Sequence, residues 1–210
     1  VMIMNSFKGK LYISDNPFNW PSGDMFAGLE NYTEGIRKTG FFAAFGWSAF
    51  ITVGSVLVIV LFTSMTAWYI TRVKTRLSNT LYYLFVFSMV VPFQMVMFTM
   101  SKLADMLKLN NPVGMIFLYL GFGAGLSVFM FCGFVKSIPL EIEEAAMIDG
   151  CTPIQTFFQI VMPILKPTAI TVAILNAMWV WNDYLLPYLV IGVSTPYKTI
   201  PVAVQYLMGS

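Results

Sequence analysis

The sequence predicts an all-α integral membrane protein, and three observations lead to that fold class. Apolar residues fill 58% of the 210 positions and charged residues only 10%, with a mean hydropathy of +0.74, whereas soluble domains carry roughly 25% charged residues. Charges leave four long gaps, 39–71, 77–101, 109–135 and 167–197, the last interrupted by Asp183 alone. About 20 apolar residues at about 1.5 Å each cross a hydrocarbon core of about 30 Å, so every gap can hold a spanning helix. The runs lack the period-two alternation of barrel strands, which leaves helix as the spanning structure.

Taken in order, residues 1–45 are read as an extracellular segment. The opening VMIM runs into the polar NSFKGK like the exit of a helix, and the chain stops at YLMGS after a hydrophilic turn. The reading therefore expects the core of a longer chain, with one helix lacking at each end. Spans are predicted near 46–70, 80–100, 112–135 and 167–191, with Pro92 kinking the second. The loop TRVKTRLSN packs Arg72, Lys74 and Arg76 together, which by the positive-inside rule makes it cytoplasmic. Alternation then places 101–111 and 192–210 outside and 136–166 inside.

The segment Ser137–Pro167 is a polar, acidic island that spanning a membrane does not require. Pro139 suits a first helical turn, and Glu141, Glu143 and Glu144 follow where the helix dipole favours carboxylates. Gly150 supplies a left-handed cap. Thr152 then serves as N-cap with Pro153 at the first position of a second helix, which runs through Phe157, Phe158 and Ile160 to a break at Pro163. The predicted result is a helix-turn-helix elbow at the membrane surface, where Ala145 and Ala146 permit close approach of another protein. The alternative is a solvated loop that merely joins two spans.

Glu144-Ala145-Ala146, then Asp149-Gly150, then Ile160 and Pro163 resemble the EAA signature of permease subunits of ATP-binding-cassette importers. Cys151 stands where that family usually has alanine or serine, and Met162 where it usually has leucine. LENYTEG, VPFQ, WNDYLLP and KTIPVAVQYL extend the likeness to the sugar-importing, maltose-type branch. The resemblance implies the core of a six-helix permease fold in a bacterial or archaeal cell membrane, one 210-residue transmembrane domain with the loop 136–166 as its cytoplasmic coupling element. It implies a homologous second permease, two ATPase subunits that use ATP and Mg, and an extracellular solute-binding protein that delivers a sugar or oligosaccharide. Glu144, Ala145, Ala146, Asp149, Gly150, Ile160 and Pro163 are then the residues that couple to the ATPase.

No G-x-x-x-x-G-K-[ST] phosphate loop is present, so the chain is expected neither to hydrolyse ATP nor to bind a cofactor of its own. It has no histidine, and its two cysteines, Cys132 and Cys151, form no C-x-x-C pair. Catalytic, metal-binding and nucleic-acid roles are therefore not expected. Within the spans, Asp183 costs about 2.5 to 3.5 kcal/mol on the insertion scale, which the ten Leu, Ile and Val residues of 167–191 offset. Asn176, Trp179 and Asp183 share one helical stripe with Trp181 and Asn182 beside it. An amide, a carboxylate and an indole suit a sugar, while an interfacial aromatic belt with local pairing is the other reading. Gln94 is the second candidate for the substrate pathway, or else a hydrogen-bonding contact between helices. Gly121, Gly123 and Gly125 mark close helix packing.

Three other classes stay in view. An importer permease for a different solute needs the same elbow, a polytopic membrane enzyme needs convergent ionisable groups, and an ion-coupled secondary transporter needs charges in several spans. This chain offers one intramembrane aspartate.

Overall fold

The computed structural model describes residues 1–192 and 195–208. Ahead of the bundle, residues 1–29 form short helices at Met2–Asn5 and Lys10–Asp15 and a 3-10 turn at Gly23–Met25. A single bridge between Lys8 and Phe26 ties them together. The Lys8 ammonium is fully buried and donates to the Asn16 carbonyl at 2.7 Å. Helix Glu30–Thr39 follows and closes at Gly40, whose φ of +58° turns the chain directly into the first span.

The first span, Phe41–Arg72, is longer than the 46–70 read from sequence, because nothing between Gly40 and Val73 interrupts the helix. Its buried positions Ala44, Ser48, Ile51, Ser55, Ile59, Thr63, Ala67 and Ile70 recur every three or four residues. That spacing makes one mostly small-residue stripe along which another helix can approach closely.

The segment read as the second span is not one helix but a bent pair, the geometry of a broken span or of a re-entrant loop. Instead of one kinked helix over 80–100, arms Arg76–Ser88 and Phe93–Met106 meet at 106°. Pro92 has no N–H and forces the preceding residue toward extended backbone, so the chain leaves the helix at Met89 and resumes it at Phe93.

The third span, Pro112–Val135, keeps the boundaries read from sequence. The Asn111 side chain accepts from the Gly114 N–H at 2.9 Å, and Pro112 takes the first position. It is the centre of the bundle, with 56% of its apolar stretch buried against 28% and 22% for the first and fourth spans. Tyr119, Val128, Phe131 and Val135 pack there against Ile51 and Ile59 of the first span and Leu165 and Val172 of the fourth. Close approach falls at Gly123, where a Cβ would lie 2.7 Å from Asn176 Oδ1 and 2.8 Å from Ile59, and at Gly125, where it would lie 2.8 Å from the Phe85 carbonyl. Gly121 faces open space instead.

The fourth span runs from Pro153 to Asn182 and not from 167 to 191. Pro163 does not end it, because a π turn at Phe157–Val161 slips the hydrogen-bond ladder just before the residue that cannot donate to it. At the far end Asp183 has ψ 126° and closes the helix. A short helix Leu185–Pro187 and π turn Tyr188–Gly192 follow, then helix Ile200–Met208.

Candidate functional site

The elbow is built by two caps in immediate succession. Helix Leu140–Ile148 carries Glu141 and Glu143 in its first turn. At its end Gly150, with φ +90°, lets Cys151 N–H reach the Ala146 carbonyl at 3.0 Å and Gly150 N–H reach that of Met147 at 3.0 Å. These are the paired bonds of a Schellman motif. Thr152 then opens the next helix with a full capping box: Gln155 Oε1 accepts from the Thr152 N–H at 2.8 Å, and Thr152 Oγ1 accepts from the Gln155 N–H at 3.4 Å. The reversal is thus complete between Ile148 and Pro153.

Of the expected coupling residues, Glu144, Ala145, Asp149, Gly150 and Pro163 are exposed, Ile160 is half-buried in the π turn, and Ala146 is buried against the chain itself. The elbow thereby presents an outward face led by Glu144 and Ala145 and an inward face of Glu143 and Ala146.

Glu143 is 1% exposed and is the residue that fixes the inward face. Its Oε1 accepts from Arg72 Nε at 2.9 Å and Nη2 at 2.6 Å, and its Oε2 accepts from Trp68 Nε1 at 2.9 Å. Arg72 Nη2 also donates to the Ile138 carbonyl at 3.0 Å. The Trp68 ring lies against Phe157, which is buried, at 5.5 Å between centroids. In the sequence Glu143 stands in an acidic run and Arg72 in a basic loop. Their pairing, 71 positions apart, is visible only once the fold joins them.

A second polar cluster lies toward the other end. Asp183 Oδ2 accepts from the buried Tyr119 hydroxyl at 2.9 Å, and Asp183 Oδ1 accepts from Leu185 N–H at 3.0 Å. Trp179 meets Tyr119 edge-on at 5.4 Å. The stripe read from the sequence is divided. Asn176 is buried and donates to Ser127 Oγ at 3.1 Å and to the Val172 carbonyl at 2.8 Å, holding the third and fourth spans together. Asn182 is exposed and donates back to Met178 at 2.7 Å. Gln94 is exposed in the first turn of the second arm. Tyr119 carried no sequence signal, being one aromatic among many in an apolar run.

The two clusters sit at opposite ends of the bundle. Arg72 and the elbow mark one end. At the other, Phe45 packs against Trp181 at 5.7 Å, Trp47 against Tyr197 at 4.8 Å, and Ser48 Oγ accepts from Ile200 N–H at 2.9 Å.

Apolar helices long enough to cross a membrane, two polar clusters at opposite ends and an exposed helical elbow fit a transport permease, and the family match shows that class. The chain belongs to the family of binding-protein-dependent transport system inner membrane components, which matches residues 59–208. It is 40% identical over 209 residues to AmyC of Thermoanaerobacterium thermosulfurigenes, named as a probable starch degradation products transport system permease, covering 100% of this chain and 75% of the relative. The multiple sugar-binding transport system permease MsmG of Streptococcus mutans is 35% identical, covering 96% and 72%. The melibiose/raffinose/stachyose import permease MelC of Bacillus subtilis is 32% identical, covering 88% and 66%. A crystal structure of a bacterial ABC transporter that imports the acidic polysaccharide alginate shares the fold, with a TM-score of 0.78 at 19% identity over 99% of this chain and 71% of the solved one. The chain is therefore a multi-pass membrane permease subunit and not an enzyme. ATP hydrolysis lies in a partner subunit, and the family implies a partner permease and a solute-binding protein.

Proposed function

We propose that this permease passes a sugar or oligosaccharide across a bacterial or archaeal cytoplasmic membrane, in a complex with one homologous permease and two ATPase subunits. An extracellular binding protein delivers the solute at the end marked by Phe45, Trp181 and Tyr197. The elbow faces the cytoplasm, where the basic corner Arg72–Arg76 also lies, and docks its outward face of Glu144, Ala145, Asp149 and Gly150 on the ATPase. The observation that carries the reading is the likeness, over 88% to 100% of this chain, to permeases named for starch products and other sugars. The elbow supports it by exposing a rigid, doubly capped projection that spanning a membrane does not need.

Along the pathway, Trp179 and Asp183, oriented by Tyr119, are proposed to contact the solute's apolar ring face and hydroxyls, with Gln94 and Asn182 as further polar contacts. Asn176 is proposed as the interspan joint that holds the fourth span in place. The test is purification of the complex with its ATPase and binding protein, followed by uptake of labelled malto- and galacto-oligosaccharides into proteoliposomes. Uptake that needs no ATP, or no uptake of either sugar class, overturns the proposal. Asp183→Asn keeps the side-chain size and one oxygen acceptor. It is expected to change the KM or selectivity of uptake while assembly stays intact, and unchanged kinetics would leave Asp183 a purely structural cap.

A further inference from the structure

We infer that Glu143, Arg72 and Trp68 form a latch that makes the elbow helix move as one body with the first span, so that force arriving at the elbow enters the bundle through Phe41–Arg72. This rests on the reading of the elbow as the ATPase-coupling element and adds the route by which motion leaves it.

Chain connectivity suggests a different route. The elbow helix joins the third span through 136–139 and the fourth through 149–152. Both junctions are turns closed by local bonds, Ser137 N–H to the Phe134 carbonyl at 2.9 Å and Ile138 N–H to that of Val135 at 3.2 Å on one side, and the two caps around Gly150 on the other. These bonds fix the path of the chain within each turn, and none of them ties the elbow helix to the first span. The link to the first span is of another sort. Two N–H groups of one guanidinium grip one carboxylate oxygen while an indole N–H holds the other, which fixes an angle as well as a distance.

Placement supports a mechanical purpose. Glu143 and Ala146 share the inward face, three residues apart, and an apolar residue at 143 would pack there without desolvating a charge. A buried ion pair is weak evidence for stability, and its geometric specificity is what an apolar contact lacks. Arg72 is the last residue of the first span, where a cation also suits the helix dipole. That span has 32 residues, roughly 48 Å at about 1.5 Å per residue. Its far end carries Phe45, which touches Trp181 two residues before Asp183. The latch therefore connects the elbow, through one unbroken helix, to the neighbourhood of the proposed solute contacts.

The experiment uses the reconstituted complex of permeases, ATPases and binding protein. In a chain carrying Cys132→Ala and Cys151→Ala, spin labels replace the exposed residues Tyr69 and Met147, and their separation is measured with and without ATP. The wild-type separation is expected to stay constant through the nucleotide cycle, and Glu143→Ala or Arg72→Ala is expected to make it broaden and shift with ATP. Solute moved per ATP hydrolysed should fall about tenfold in either variant while copurification of the ATPase is unchanged. Glu143→Gln, which keeps one acceptor oxygen for the guanidinium but turns an NH2 toward the Trp68 N–H, should retain part of it. The double variant should be no worse than the worse single one, as expected of two residues in one unit. Wild-type transport per ATP in Glu143→Ala overturns the latch, as does a wild-type separation that changes with ATP, a measurement that needs no variant at 143 to fold. A wild-type chain that copurifies no ATPase overturns the coupling reading itself, and the latch with it.

Discussion

Gly150→Val is expected to abolish ATP-driven uptake while the chain still inserts in the membrane. Gly150 sits at φ +90° with no atom within 4 Å of where a Cβ would stand, so the substitution meets no clash. The cost is in the backbone, where a β-branched residue held at positive φ stores strain of about 1 to 3 kcal/mol. The cheapest escape is to abandon that conformation. Doing so loses the bonds from Cys151 to Ala146 and from Gly150 to Met147 and swings the elbow helix away from the capping box at Thr152. Gly150→Asn, whose side chain tolerates the left-handed region better, should retain part of the activity. Proteoliposome uptake reads the effect, and protease accessibility of the two ends confirms insertion. Undiminished uptake by Gly150→Val would show that the shape of the elbow is not what couples.

Gly114→Ala is expected to damage assembly more than any other single methyl addition considered for this bundle. A Cβ at Gly114 would lie 2.1 Å from the Leu109 carbonyl oxygen and 2.7 Å from both the Leu109 carbonyl carbon and Cα. These are backbone atoms that cannot rotate away. Leu109 is in turn held by its N–H bond to the Ala104 carbonyl at 2.8 Å, and the Gly114 N–H by the Asn111 cap. Relief requires moving the start of the central span, at the upper end of the roughly 1 to 3 kcal/mol typical of overpacking. Thermal unfolding in detergent should show the loss. Gly46→Ala, where a Cβ meets open space in the first span, should leave the midpoint unchanged or slightly higher, because alanine favours helix.

Much of this architecture was readable from residue order, for reasons that differ by element. The third span announced both its ends, since Asn111-Pro112 is a local start signal and the apolar run stops at Lys136. The turn chemistry at Gly150, Thr152 and Pro153 was equally local, and the backbone there follows it. The fourth span misled at both ends. Pro163 reads as a helix stop, yet the π turn before it absorbs the missing donor. Asp183 reads as a charge inside a helix, yet it terminates that helix and starts the next turn. Whether Pro92 bends or breaks a span depends on what packs on either side, and the pattern of apolar residues holds no record of that. The latch was the least legible feature. Glu143 differs from Glu141 and Glu144 only in its position relative to a helix that ended 71 residues earlier, and Tyr119 differs from its aromatic neighbours only in facing Asp183.

The break at Pro92 also sorts this bundle's surroundings. A helix end leaves up to four carbonyls or four N–H groups without intrahelical partners, and here two such ends meet at one corner. Some are met locally: Met89 N–H reaches the Val86 carbonyl at 3.2 Å, Val90 N–H that of Phe87 at 3.0 Å, Ser88 Oγ that of Phe85 at 2.6 Å, and Met95 N–H that of Pro92 at 3.1 Å. Acyl chains can satisfy none of the remainder, and each group left bare in hydrocarbon costs several kcal/mol. Where the corner at Met89–Pro92 lies at hydrocarbon depth it is expected to face water or another protein, and the exposed Gln94 beside it adds both a donor and an acceptor to that side. Backbone accounting at this one corner tells the wet flank of the bundle from its oily flank, in a stretch where side-chain hydropathy reads almost uniformly apolar.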